Sequence, residues 1–191
     1  MKYILKMMPN GMPGIIPDTS IYYWDVIYRT MDAPSFKDIL STVPEIMKYR
    51  EQGMIRVLYI EPLKEPALTV CSPDAGSIRS LIGDRPRHVV SPDLGNAVIH
   101  YGENAKSTNL MLNRGVKCNG ITYDILSGPI VITGSVDKSS VAELDEPSMI
   151  KAYEYFERPE LFYYDRDHVK SVKCSQKAAS VMRENNISII S

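Results

Sequence analysis

Asn113-Arg114-Gly115 is the first constellation in this chain whose residue types could do chemistry. A guanidinium offers a planar fork of donors, and the neighbouring amide adds both donor and acceptor. Beside a glycine, the pair could hold a phosphate, a carboxylate or a base edge. The competing reading is local: Asn113 shapes a turn while Arg114 pairs with Glu61 or Asp124. Arg79, Arg85, Arg87 and His88 form a second, basic group, diluted by Asp74, Asp84 and Asp93. Such a group could attract a nucleotide or a nucleic-acid backbone. Neither group lies in a Gly-rich phosphate loop. Asn113, Arg114, Arg85 and Arg87 are the candidate ligand-binding residues.

Other reactive residue types fit their chemistry less well. His100 and Glu103 have an H-x-x-E spacing, but on a strand they would face opposite sides, so a shared metal would need a turn at Gly102. Cys71 or Cys118 with His100 would make a poorly matched nucleophile pair, and the apolar neighbours of Cys71 point to burial. Glu61 and Asp124 could serve acid–base work, yet each sits at a strand end, where ion pairing is ordinary. The expectation is no catalytic residue, no metal and no cofactor, and the balance leans away from an enzyme.

Composition narrows the partners. The chain has 191 residues, enough for one medium domain with a sizeable core. A formal net charge of −1 supplies no field toward nucleic acid or an anionic membrane. Three scattered cysteines argue against a disulfide framework and favour a reducing, cytoplasmic setting. Lys2 and Lys6 flank a short apolar run, but Pro9, Gly11, Pro13, Gly14 and Pro17 interrupt it too soon for a signal peptide. No apolar run reaches the length of a membrane span.

The elements that must position these residues follow from apolar period and turn chemistry. Residues 1–8 predict a short strand, 9–17 an irregular, turn-rich stretch, and 21–28 a strand rich in β-branched and aromatic residues. Residues 35–40 suit one helical turn, and Pro44 opens a helix that Gly53 stops. Strands are predicted at Ile55–Ile60 and Ala67–Cys71, then a short helix capped by Asp74 and ended by Gly83. Two paired strands flank Pro92-Asp93-Leu94-Gly95, and Asn119-Gly120 marks a hairpin. Residues 110–112 give a short apolar piece, and strands are predicted at 124–126 and 130–133. Asp145 caps a helix through about Phe156 with one apolar side. Further on come an aromatic stretch at 159–164, a helix at 175–185 and a final strand at 187–190. This is an α+β pattern: a mostly antiparallel central sheet, helices toward the C-terminus and an irregular N-terminal extension. It divides into 1–53 as extension or added layer, 54–135 as a β-rich module and 136–191 as a helical region.

Aromatic runs suggest contact surfaces. Tyr22, Tyr23 and Trp24 alternate sides on a strand, so one side of that run is exposed. Exposed Tyr and Trp favour partner or subunit contacts. Tyr22, Tyr23, Trp24, Tyr155, Phe162 and Tyr163 are the candidate interface residues.

Residues 54–135 also resemble a known family, the domain of unknown function numbered 3846, found in phages, plasmids and bacteria. The resemblance rests on the opening strand followed by Glu61-Pro62 and Lys64-Glu65-Pro66, on Leu112-Asn113-Arg114, and on Asp124-Ile125 through Gly128 followed by Pro129-Ile130-Val131-Ile132. The segment from Pro147 to Pro159 is similar to a helix that often trails the domain. Ser127 and Pro129 depart from the small and larger apolar residues expected there. The resemblance implies a mobile-element accessory protein and carries over no activity. The leading functional expectation is a non-catalytic binder of phage or mobile-element origin. It would be an anti-CRISPR-like inhibitor that occupies a host defence protein, possible as a homodimer. The alternatives are a sponge for a nucleotide signal held by Arg114 and Asn113, and a small hydrolytic enzyme using Glu61, His100 or Asp124.

Overall fold

The computed structural model describes residues 2–18, 27–33, 35–40, 43–137, 140–166, 168–175, 177–178 and 181. In chain order the elements are β1 (Lys2–Met7), β2 (Pro13–Pro17), β3 (Ile27–Asp32), α1 (Phe36–Leu40), α2 (Pro44–Glu51), β4 (Ile55–Ile60), β5 (Ala67–Cys71), α3 (Ala75–Ile82) and β6 (Pro86–Val90). After a 3-10 turn at Pro92–Leu94 come β7 (Val98–Gly102), β8 (Leu112–Cys118), β9 (Ile121–Ser127), β10 (Ile130–Thr133), β11 (Val136–Asp137), β12 (Ser140–Val141), α4 (Glu146–Phe156), β13 (Glu160–Asp165) and β14 (His168–Lys173). The fold is α+β, as the pattern predicted.

Among the described residues, eight strands form one sheet in the order β3-β1-β2-β5-β4-β10-β7-β6. Every pairing in it is antiparallel. Residues 9–17, read as turn-rich, divide into a turn and strand β2. Gly14 and Ile15 pair with Thr69 and Leu68, so the N-terminal strands extend the central sheet.

Alternation along β4 assigns two apolar faces. Leu58 and Ile60 join Ile99, Ile130 and Ile132 on one face, beneath Phe36, Ile46, Met149, Tyr153 and Phe156 of the helices. Phe36 stacks on Tyr153 with ring centroids 3.8 Å apart. Val57 and Tyr59 join Val131 on the other face, against Ile78, Leu81 and Ile82 of α3. Strand β10 is buried on both sides, which is why it reads as an unbroken apolar run. Helices α3 and α4 start where expected, because the Asp74 and Asp145 carboxylates accept from the Ser77 and Ser148 N–H groups.

Among the described residues, three two-stranded pairs lie outside the main sheet: the short β11–β12 pair and two longer hairpins. The β8–β9 hairpin turns through Asn119 and Gly120, whose φ angles of 52° and 76° match the primed turn that a right-twisted hairpin requires. Asp93 accepts from both N–H groups, at 2.9 and 3.2 Å, and ties this tip to the 3-10 turn. Its strands run well beyond the short pieces predicted at 110–112 and 124–126. The β13–β14 hairpin replaces part of the region predicted as helical: Glu160 pairs with Lys173 and Tyr164 with Val169. The strand predicted at 21–28 and the helix at 175–185 fall mostly outside the described residues, and the strand at 187–190 lies wholly outside them.

Candidate functional site

Asn113 and Arg114 turn inward. Both are enclosed, at 0% and 1% exposure, and Arg114 is among the largest fully buried side chains of the described chain. Its donors face carbonyl oxygens. Nη2 reaches Lys64 O at 2.6 Å and Phe156 O at 3.2 Å. Nη1 reaches Asn113 O and Asn113 Oδ1, both at 3.0 Å, and Nε reaches Phe156 O at 3.4 Å. These five bonds match the five N–H groups of a guanidinium. Asn113 Nδ2 donates to Ile60 O at 2.9 Å and Gly128 O at 2.7 Å. Together they pin β8 to the end of β4, to the start of β10 and to the C-terminus of α4, where partial negative charge favours a cation.

The pair therefore has no donor left for a ligand, and this corrects the ligand-binding reading of Asn113 and Arg114. Nor does Arg114 pair with Glu61 or Asp124, which hold Lys64 and Lys106. Burial pulls the Arg114 pKa down to about 10, which leaves it charged at neutral pH, and Glu160 opposes the fall. Gly115 serves close approach. Its N–H donates to Glu160 Oε2 at 2.9 Å, and a Cβ there would sit 3.2 Å from the same oxygen. Glu160 is itself buried and lies 3.7 Å from Lys117 Nζ.

Arg85 and Arg87 are exposed beside edge strand β6, and both pair with Glu103: Arg85 Nε at 3.5 Å, Arg87 through Nε at 2.9 Å and through Nη2. The structure places them in a different neighbourhood from Arg114, so the four residues make no common grip. Asp84 joins this corner by accepting from the Asn104 and Arg85 N–H groups, and those bonds, Asn104's first, hold its carboxyl below the usual range.

The proposed interface residues separate by burial. Phe162 is 2% exposed and belongs to the core, so its assignment to an interface is corrected. Tyr155 is half-buried, its hydroxyl accepting from Lys117 N at 3.1 Å and its ring edge-on to Phe156. Tyr163 is exposed as expected, and Tyr22, Tyr23 and Trp24 lie outside the described residues. Sequence reasoning missed further exposed apolar and aromatic side chains on the two hairpins: Tyr164 at 66% and Ile121 at 74% exposure, with Tyr123, Val169 and Val172 also exposed. Thr122, Ile125, Tyr163, Val169 and Lys170 line a cleft of about 230 Å³ between the two hairpins. Tyr123 crosses to the main sheet, donating to Val90 O at 2.5 Å. The available signal was Ile121-Thr122-Tyr123 directly after an Asn-Gly turn.

Of the candidates for reaction chemistry, His100 and Cys71 are enclosed, while Cys118 is a free thiol of intermediate exposure. His100 is buried with Nε2 2.8 Å from Thr133 Oγ1, and burial, then His88, pulls its pKa down to about 4. Cys71 is buried and its thiol is pushed up to about 12, so it is no nucleophile at neutral pH. Among the described residues there is no group of three or more His, Cys, Asp or Glu side chains suited to a metal. None of their helices is long and apolar enough to cross a membrane.

A family model, Domain of unknown function (DUF3846), matches residues 55–157. The chain belongs to this family. The match runs from β4 to the end of α4 and so contains Asn113, Arg114 and their carbonyl cage. No curated protein and no solved structure matches the chain.

Proposed function

We propose that this member of the family is a non-catalytic binding protein that engages a protein partner through the outer faces of its two hairpins. The supporting observation is the set of exposed apolar and aromatic side chains that the two hairpins carry, Ile121 and Tyr123 on β9 and Tyr163, Tyr164, Val169 and Val172 on β13–β14, of which Tyr163 and Val169 line the interhairpin cleft. Tyr and β-branched side chains give large contact area at low entropic cost, and grouped exposure of this kind marks contact surfaces. The cage around Arg114 and the Glu160–Gly115 bond hold both hairpins at their bases, so the surface is presented preorganised. Strand β14 adds an edge: it pairs only with β13 among the described residues, and an extended segment could dock along its other side.

For the partner, a host defence protein blocked by a mobile-element inhibitor is the first candidate, on the strength of the family resemblance. The test is affinity capture from host lysate, followed by reconstitution with the recovered protein. Wild type is expected to retain one stoichiometric partner, and Tyr164→Asp with Val169→Asp is expected to lose it while melting within about 4 °C of wild type, since both positions are on the surface. Absence of a stoichiometric partner, or capture indifferent to the two substitutions, overturns the reading. A dimer that the same pair dissolves assigns the surface to a second copy of this chain instead.

A further inference from the structure

His88 and His100 face each other across β6 and β7 as a register pair, with ring centroids 6.2 Å apart. They lie on the sheet face that carries α3, away from the hairpins. Both line a cavity of about 150 Å³ whose walls are Ala75, Ile78, Pro86, Val136 and Val141. His88 is exposed and stands at the mouth, whereas His100 is 4% exposed and forms the floor.

The hydrogen bonds around His100 are compatible with one tautomer in particular. Thr133 Oγ1 lies 3.0 Å from Gly134 O and 2.8 Å from His100 Nε2; with its proton on Gly134 O, it accepts from His100 Nε2–H. Nδ1 is then a lone-pair acceptor, and it has no hydrogen-bond partner among the described residues. A buried acceptor without a partner is costly, so a donor entering the cavity would be favoured there. The depressed pKa of His100 agrees with a ring that stays neutral.

We propose that this cavity binds a small, neutral, flat aromatic molecule with one N–H or O–H donor, of the phenol or indole class, donating to His100 Nδ1. Volume, wall chemistry and the single acceptor each contribute. A cavity of this size takes a benzene-sized ring. Aliphatic walls favour an apolar ring and oppose an ion. The neutral floor offers no cation for a carboxylate or phosphate. Two imidazoles alone fall short of the three or four ligands that a zinc site uses.

The chain has three histidines, so their side-chain nitrogens are resolvable by long-range nitrogen–proton NMR. Phenol and indole, titrated separately into the full chain, are expected to shift His100 Nδ1 saturably while His168 stays fixed. Ala75→Phe, which adds a ring at an exposed wall position at the start of α3, is expected to weaken binding at least tenfold. His100→Phe, followed through the ring nitrogens of His88 at the mouth, keeps the shape and removes the acceptor, and is expected to weaken binding by about tenfold, the order of one hydrogen bond. No saturable shift with either probe overturns the proposal, as does equal binding by both variants. A saturable response to zinc but not to phenol or indole would make the histidine pair a metal site and equally overturn it.

Discussion

Arg114→Met tests whether the Leu112-Asn113-Arg114 motif is scaffold or ligand grip. Methionine keeps the length and apolar stem but removes every donor. Three buried acceptors, Phe156 O, Asn113 O and Asn113 Oδ1, and the part-buried Lys64 O then lose a partner. Each unsatisfied buried group costs about 1–3 kcal/mol, or roughly 4–12 kcal/mol for the set before relaxation. Against this, the variant no longer buries a charge. The fall of the arginine pKa from 12.5 to about 10 corresponds to about 3 kcal/mol of relief. The net expectation is a loss of about 3–5 kcal/mol, in the range found when one partner of a buried ionic group is removed. For a chain of this size that lowers the melting temperature by about 10 °C. Arg114→Lys keeps the charge but cannot span the carbonyls as a fork, so it should fall between the two. Thermal and urea melts followed by circular dichroism read both. A variant that melts within about 2 °C of wild type would refute the cage argument. If it also lost a co-purifying nucleotide, the ligand reading of Arg114 and Asn113 would stand.

Two further outcomes follow from buried polar groups. Glu143 accepts from the Arg56 backbone N–H at 2.7 Å and from its guanidinium at 2.7 and 2.9 Å, while Arg50 approaches to 3.0 Å. Glu143→Ala leaves the buried Arg56 without its counter-charge and should cost about 3 kcal/mol, checked by the urea midpoint; a shift under a third of that contradicts the pairing. His100 makes stability pH-dependent. Its folded pKa of about 4 lies below the unfolded value of 6.5, so the unfolded chain binds the extra proton between those values. The His100 contribution is complete above pH 6.5 and lost as pH falls toward 4, about 3 kcal/mol in all and about 2 kcal/mol by pH 5. Wild type should lose that much more than His100→Phe between pH 7.5 and 5 in matched denaturant titrations, and parallel losses would show that the ring is not held neutral.

How far the sequence reaches depends on the range of each interaction. Periodicity and caps are local, so β4, β10, α3, α4 and the Asn119-Gly120 turn were legible residue by residue. The Arg114 cage is not local: its acceptors lie 50 residues upstream at Lys64 and 42 downstream at Phe156. Carbonyl acceptors also leave no side-chain signature, so a search for a carboxylate partner pointed to Glu61 and Asp124. The Arg56–Glu143 pair spans 87 residues and is hidden for the same reason. The β13–β14 hairpin was missed because Val169 and Val172 stand three apart. They fall on opposite faces of a strand and break the period of two that would have announced one.

Burial and exposure trade their ordinary places in the β8–β9 and β13–β14 region, and this supports binding over catalysis. Asn113, Arg114 and Glu160 are polar and enclosed, while Ile121, Tyr164 and Val172 are apolar or aromatic and exposed. The enclosed groups satisfy one another and the backbone, which leaves no poised acid, base or nucleophile among them. What they do supply is rigidity at the bases of two short hairpins that could not hold their shape alone. Rigid presentation reduces the entropy lost when a partner docks, so the interior polar network and the outer apolar surface are two halves of one arrangement. A catalytic site would need the reverse: apolar walls around a reactive polar group, open to substrate. The His88–His100 cavity comes nearest to that description. Its floor, however, is an enclosed ring whose Nε2 is already engaged by Thr133 Oγ1 at 2.8 Å, so it is suited to hydrogen bonding and not to driving a reaction.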